Sequence, residues 1–276
     1  MRSLVFDFSR RVRRSTNALS CALALALASV ARAAAAADTA AELPRLAANI
    51  ERPYVAVLVW HDVLPRKDVY FDTTTGEFAA QLDAIATGGF HVVTLAMLRD
   101  RLERGTPLPA KPLLLTFDDN ARGIGAYAFP LLQKHRFAAT LFVHTNYVGK
   151  KTSKAHNSWD ELRAMERSGL IDVQSLTANH PPDLTKLSDA DVTHEFVLSK
   201  RSLEYRLGRK IFAVVYPYDV YDARVERLAA SAGYILGFTE DHGNAAGSSS
   251  LLVIHRFSMT VPERFAEALA AVAAGR

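Results

Sequence analysis

Between residues 54 and 274 the chain alternates short, continuous apolar runs with longer stretches of helical period, and this alternation leaves few choices of fold. The apolar runs are "YVAVLVW" (54–60), "KPLLLTF" (111–117), "AATLFVHT" (138–145), "LIDVQSL" (170–176), "KIFAVVYPY" (210–218), "YILGF" (234–238) and "LLVIHRF" (251–257). Between and after them lie "GEFAAQLDAIATGG" (76–89), "GAYAFPLLQKHR" (125–136), "SWDELRAMERSG" (158–169), "SDADVTHEFVLSKRSLEYRLG" (188–208), "DARVERLAASAG" (222–233) and "PERFAEALAAVAA" (262–274). A strand apolar on both faces must be covered on both, and parallel strands need crossovers long enough to be helices. The pattern therefore predicts a parallel sheet wrapped by helices. Seven strands suit an α/β chain closed into a distorted (β/α) barrel, one domain over residues 52–276.

The first 37 residues differ from the rest. Arg10, Arg11, Arg13 and Arg14 precede an apolar run from Ala18 to Val30, followed by Ala31-x-Ala33. This is the layout of a signal peptide over residues 1–37, and the run is short for a membrane span, which needs about 20 apolar residues. An Ala-rich linker, 38–51, would follow. The expected destination is the periplasm or the exterior. The formal charge of +4 belongs to the whole chain: six of its 33 Lys and Arg and one of its 29 Asp and Glu lie in residues 1–37, leaving 27 against 28. The basic balance thus gives no reason to expect a nucleic-acid partner. The single cysteine, Cys21, falls in the apolar leader, so the remainder has no disulfide and no thiolate metal ligand.

Polar residues stand at the C-terminal ends of several predicted strands: His61-Asp62, Asp118-Asp119-Asn120, His144-Thr145, His180 and Pro217-Tyr218-Asp219. A barrel gathers such ends around one mouth. Neighbouring side chains at a strand end diverge, so one carboxylate of Asp118-Asp119 can hold a metal while the other serves as general base. An isolated Asp pair caps a helix or makes a turn just as readily. His61 beside those carboxylates suits a general acid, or a hydrogen-bonded residue closing the mouth. His144 is supported by its location alone. Trp159 reads as packing for its helix, and Tyr218 fits either packing or sugar binding.

Together these segments resemble the polysaccharide deacetylases, carbohydrate esterase family 4, and within them the bacterial poly-β-1,6-N-acetylglucosamine deacetylases of biofilm export. The resemblance runs from about Val55 to Met259. "VWHDV" is similar to the family's Tyr-His-Asp-Val, "LLLTFDDN" to its Thr-Phe-Asp-Asp-Gly, "VVYPYD" to its Tyr-Pro-Tyr-Gly, and "SWDELRAMERSGLIDVQSLTANHPPDL" to its Trp-bearing helix and Ser-His-Thr-x-x-His-Pro segment. The resemblance implies metal-dependent removal of N-acetyl groups from an N-acetylglucosamine polysaccharide. Asp118 would be the catalytic base and His61 the general acid, Asp119 and His180 metal ligands, Thr177 part of the acetate pocket and Tyr218 part of the substrate groove. The implied cofactor is Zn, Co or Ni, and exopolysaccharide export proteins are the implied partners.

Three residues depart from the pattern. Asn120 and Asp219 replace glycines, and both types tolerate left-handed backbone. Leu176 stands where the first histidine ligand belongs and has no lone pair to give, so metal affinity should fall. Three readings follow: a working deacetylase with a rearranged site, in which His144 or His61 substitutes for the missing ligand; a relative that binds glycan without hydrolysing it; or a structural component of an export complex.

Overall fold

The computed structural model describes residues 54–275; the expected signal peptide, the linker and Cys21 lie outside the described residues. Seven parallel strands close into a barrel in the order β1 (Ala56–Trp60), β10 (Ile254–Ser258), β9 (Leu236–His242), β8 (Ala213–Val215), β7 (Ile171–Ser175), β6 (Ala139–Val143) and β5 (Pro112–Phe117), with β5 pairing back onto β1. The closure is uneven. β1 runs along five residues of β5, from Leu113 to Phe117, while the other edge of β5 is shared between β4 (His91–Val92) at its start and β6 at its end. A separate two-stranded ribbon, β2 (Val63–Leu64) and β3 (Thr73–Thr74), follows the end of β1.

The helices are α1 (Thr75–Thr87), α2 (Leu95–Arg104), α3 (Phe129–His135), α4 (Trp159–Arg167), α5 (Asp189–Leu207), α6 (Ala223–Ser231) and α7 (Glu263–Ala273). Reciprocal capping boxes start α1, through Thr74 and Glu77, and α4, through Ser158 and Glu161. Two local outcomes differ from the sequence reading. The sequence pattern shows no helix at α2, yet Thr94 caps it, Gly105 ends it at φ 74°, and Leu95, Leu98 and Leu102 form its buried stripe. "GAYAFPLLQKHR" is not one α-helix, because a π turn over Ile124–Ala128 precedes α3, with Phe129 N–H donating to Ile124 O. Pro130 has no amide hydrogen, so the regular ladder cannot run through it.

Alternation along the strands sorts side chains into two cores. Ala56, Leu58, Leu113, Leu115, Phe117, Leu141, Val143 and Val173 face outward, packed with Phe78, Leu82, Leu132, Leu162, Phe196 and Val225 of the helices. Val55, Val57, Leu114, Phe142, Leu176, Leu236, Phe238 and Ile254 face inward and pack with Leu95, Leu98 and Leu102, so α2 plugs the N-terminal end of the barrel. That leaves the C-terminal end for chemistry. On the outer face of β9 the packing is close enough that a Cβ at Gly237 would meet Leu252 O at 2.2 Å. Gly237→Ala is therefore expected to cost about 1–3 kcal/mol, read as a lower urea midpoint with an unchanged slope.

Candidate active site

The inward phase of each strand, followed to the mouth, predicts which side chains meet there. On β1 it runs Val57, Val59, His61; on β5, Leu114, Thr116, Asp118; on β6, Thr140, Phe142, His144; on β9, Leu236, Phe238, Glu240; on β10, Ile254, Arg256. On β7 it ends at Leu176, which is 1% exposed and belongs to the inner apolar core. The barrel thus brings together His61, Asp118, Asp119, His180 and Tyr218, all lining the two adjoining clefts of about 500 and 350 Å³ at its mouth, apart from Asp118, which lines the smaller one only.

Asp118 is buried and held on both oxygens by Arg256, with Nη1 at 2.9 Å from Oδ1 and Nη2 at 2.7 Å from Oδ2. Burial pushes its carboxyl above the ordinary carboxylate range, while the Arg256 charge and hydrogen bonds pull the other way. His61 Nε2 lies 3.4 Å from Glu240 Oε1. Burial alone would lower the His61 pKa, but the Glu240 hydrogen bond and the Asp119 and Asp118 charges outweigh it and raise it to about 9. The same arrangement holds Glu240, which burial would raise, down at about 2 through the His61 hydrogen bond and the Arg256 charge. The mouth therefore places a carboxylate paired with a guanidinium beside a charged imidazolium donor, an arrangement that can serve as a general acid–base pair.

One group of possible metal donors among the described residues, with one atom from each within 4.8 Å of the others, is His61, Asp118 and Glu240. Its chemistry argues for protons instead. Both Asp118 oxygens are already engaged by a buried guanidinium, and a dication placed there would face that charge at close range. The other pairing is Asp119 Oδ1 with His180 Nε2, at 3.5 Å.

The loops that carry these residues are strained and tightly tied. Asp119, Asn120, Thr177, His180, Tyr218 and Asp219 all have left-handed backbone, with φ between 52° and 70°. Each non-glycine residue there costs of order 1–2 kcal/mol, and such costs collect where a surrounding frame needs the geometry. The frame is visible: Asn120 and Asn157 exchange side-chain hydrogen bonds, and the Asp219 carboxylate accepts from Glu240 N at 2.8 Å. Buried Glu195 on α5 accepts from the amides of Ala178 and Asn179 at 3.0 and 2.8 Å, fixing the loop before His180. Thr177 is wholly buried, and its hydroxyl accepts from His180 N–H at 3.2 Å, so in this structure its side chain holds that turn. Tyr218 is exposed and packs on the His180 ring at 4.7 Å. His144 is 5% exposed, and burial, despite the nearby Asp119 charge, lowers it to about 4, leaving a neutral imidazole.

Residues 105–237 match the family model for polysaccharide deacetylases. Over that stretch, just under half of its length, the chain is similar to the polysaccharide deacetylases. The barrel superposes on the Streptococcus pyogenes deacetylase PplD, solved in complex with acetate, with a TM-score of 0.71 and 25% identity over 78% of this chain and 97% of that one. It superposes on IcaB from Ammonifex degensii with a TM-score of 0.72 and 25% identity over 81% of this chain and 98% of that one. In sequence, the poly-β-1,6-N-acetyl-D-glucosamine N-deacetylase of Staphylococcus aureus is 24% identical over 180 residues, 61% of each chain. The Bacillus subtilis protein YxkH is 25% identical over 180 residues, and the chain spans 63% of its length. The chain thus spans less than two thirds of the length of these curated relatives.

Sequence reasoning missed Glu240 and Arg256. Its β9 stopped at Phe238, whereas the strand continues to His242. Arg256 sat in plain view as a lone charge within an apolar strand, a signal that it needs a buried counter-ion.

Proposed function

We propose that the protein is a metal-dependent N-deacetylase acting on an N-acetylglucosamine polysaccharide, with a poly-β-1,6-linked exopolysaccharide as the favoured substrate. The observation that carries this reading is the pairing of Arg256-held Asp118 with charged His61 across the cleft that contains Asp119 and His180. Asp119 and His180 would hold a divalent cation, which supplies Lewis-acid polarisation of the acetamido carbonyl when bound. The protein's own groups then carry the protons: Asp118 takes one from the attacking water, and His61 delivers one to the departing sugar nitrogen. Exposed Tyr70 and Tyr218 line the smaller cleft with apolar faces on which a pyranose can stack. Acetate, the acid product of such a reaction, is bound in the PplD structure. Export through the signal-like leader, into a compartment shared with exopolysaccharide export proteins, accords with such a substrate.

A second reading has one observation of its own: Leu176, buried among Phe142, Val215 and Phe238, offers no ligand atom. In that case the cleft binds glycan without hydrolysing it. The two separate on free-amine release from an N-acetylglucosamine oligomer with added Zn²⁺, Co²⁺ or Ni²⁺. Metal-dependent release is expected; no release, with glycan affinity that survives chelation, would leave the binding reading in its place.

A further inference from the structure

His144 and Leu176 are neighbours on adjacent parallel strands. Val143 pairs with Ser175 in the β6–β7 ladder, Leu176 N–H donates to Val143 O at 3.0 Å, and Thr145 N–H donates to Thr177 O at 3.3 Å. His144 and Leu176 therefore occupy the same step of the barrel, both in the inward phase. An imidazole absent from β7 has a counterpart one strand away.

The ring spacing suits a shared cation, with side-chain rotation still needed, since Asp119, His180 and His144 do not bring one donor atom each within 4.8 Å of the others. Two imidazoles on one tetrahedral metal, with metal–nitrogen bonds of about 2.0–2.1 Å, place their ring centres roughly 5 Å apart and their donor atoms roughly 3.3 Å apart. The His144 and His180 rings are 5.4 Å apart, and His180 Nε2 is 3.5 Å from Asp119 Oδ1. His144 lines the larger cleft with Asp119 and His180, and its buried Nδ1 meets no hydrogen-bond partner among the described residues. A buried polar atom without a partner is costly, and an apolar residue would serve better at this step unless something binds there.

The support around His144 is rigid. Tyr147 and His156 pack on its ring at 4.9 and 4.8 Å, and His156 Nδ1 lies 3.0 Å from Lys150 O. Asn146 ties the loop after β6 to the loop after β7, donating from its amide to Ala178 O at 2.9 Å and from its side chain to Asn179 Oδ1 at 2.6 Å. The segments bearing His144 and His180 thus form one unit, as a ligand pair requires.

We propose that a divalent cation is held by Asp119, His180 and His144, with the imidazole on β6 replacing the one that Leu176 cannot supply. The proposal rests on the deacetylase reading for the cation's task, though not for its binding. Two imidazoles and a carboxylate form a donor set suited to Zn²⁺ or Co²⁺.

The test is Zn²⁺ titration calorimetry and the visible absorption of added Co²⁺, on the purified protein and on His144→Gln, Glu240→Gln and the exchange variant His144→Leu/Leu176→His, with near-ultraviolet dichroism checking each fold. The parent should take up one equivalent. His144→Gln should bind at least about 100-fold more weakly, since even loss of an outer partner costs up to about that much. The exchange variant should recover most of the affinity, which a merely structural role for His144 would not produce. Parent-like affinity and Co²⁺ spectrum in folded His144→Gln, or loss of binding in Glu240→Gln alone, would overturn the assignment. Amine release measured in parallel separates the two readings. Binding that follows His144 without release upholds the site and removes the deacetylase, while release with no metal uptake removes the site and its cation.

Discussion

Asp118→Asn is expected to reduce free-amine release by about 10²–10⁴-fold, the usual contribution of a positioned general base. The change keeps the shape of the side chain and removes its charge, so substrate contacts should survive and kcat should bear the loss. It should also destabilise the fold, because Arg256 is 1% exposed and Asp118 accepts from both of its terminal nitrogens. Removing one partner of a buried pair strands the other charge, at a cost of about 3–5 kcal/mol. Adding Arg256→Met to Asp118→Asn removes that stranded charge and should recover much of the stability with none of the activity. Urea unfolding and amine release on the single and double variants check both parts. Release by Asp118→Asn within tenfold of the parent would transfer the base role elsewhere, and a double variant no more stable than the single one would refute the account of the ion pair.

The barrel was legible because its cause is local: each apolar run followed by a helical stretch reports a parallel strand and its cover. Asp118, Asp119, His61 and His180 were legible for a related reason, since strand ends converge in such a fold. Arg256 and Glu240 were not. Arg256 meets Asp118 across 138 residues of chain, and no local pattern announces which buried charge will face which. The strand ends at β9 and β10 also had to be placed before the inward phase could be followed to Glu240 and Arg256. His144 shows the same limit more sharply. Its sequence context marks only a strand end, and its place beside Leu176 follows from the β6–β7 register. The glycine replacements went the other way: the resemblance puts Asn120 and Asp219 at glycine positions, both types tolerate left-handed backbone, and both adopt it, at φ 56° and 59°.

Without a cation His61 keeps its proton up to about 9, and amine release by the metal-loaded protein is expected to fall as pH rises through the His61 pKa. Burial by itself would lower that pKa; the Glu240 hydrogen bond, then the Asp119 and Asp118 charges, reverse it. Glu240 cannot be the titrating group on this limb, because it is held at about 2 and stays anionic throughout. On the acid side Asp118 must be ionised, and burial, only partly offset by Arg256, moves that limb above the ordinary carboxylate range. The profile should be a bell. Stability shares the basic limb: His61 is 6.5 in the unfolded reference and about 9 when folded, so its contribution is complete below about 6.5 and is lost as pH rises through about 9. Glu240→Gln removes the hydrogen-bonded charge and should shift the basic limb to lower pH, with the largest loss of kcat at alkaline pH. A bound cation cancels much of the Asp119 charge and should shift the limb the same way, so metal-loaded and metal-depleted protein should differ in their unfolding profiles near pH 9. His61→Gln should remove the limb and cost about 10²–10⁴-fold in kcat. A basic limb that stays in place in Glu240→Gln would assign the proton donor to another group.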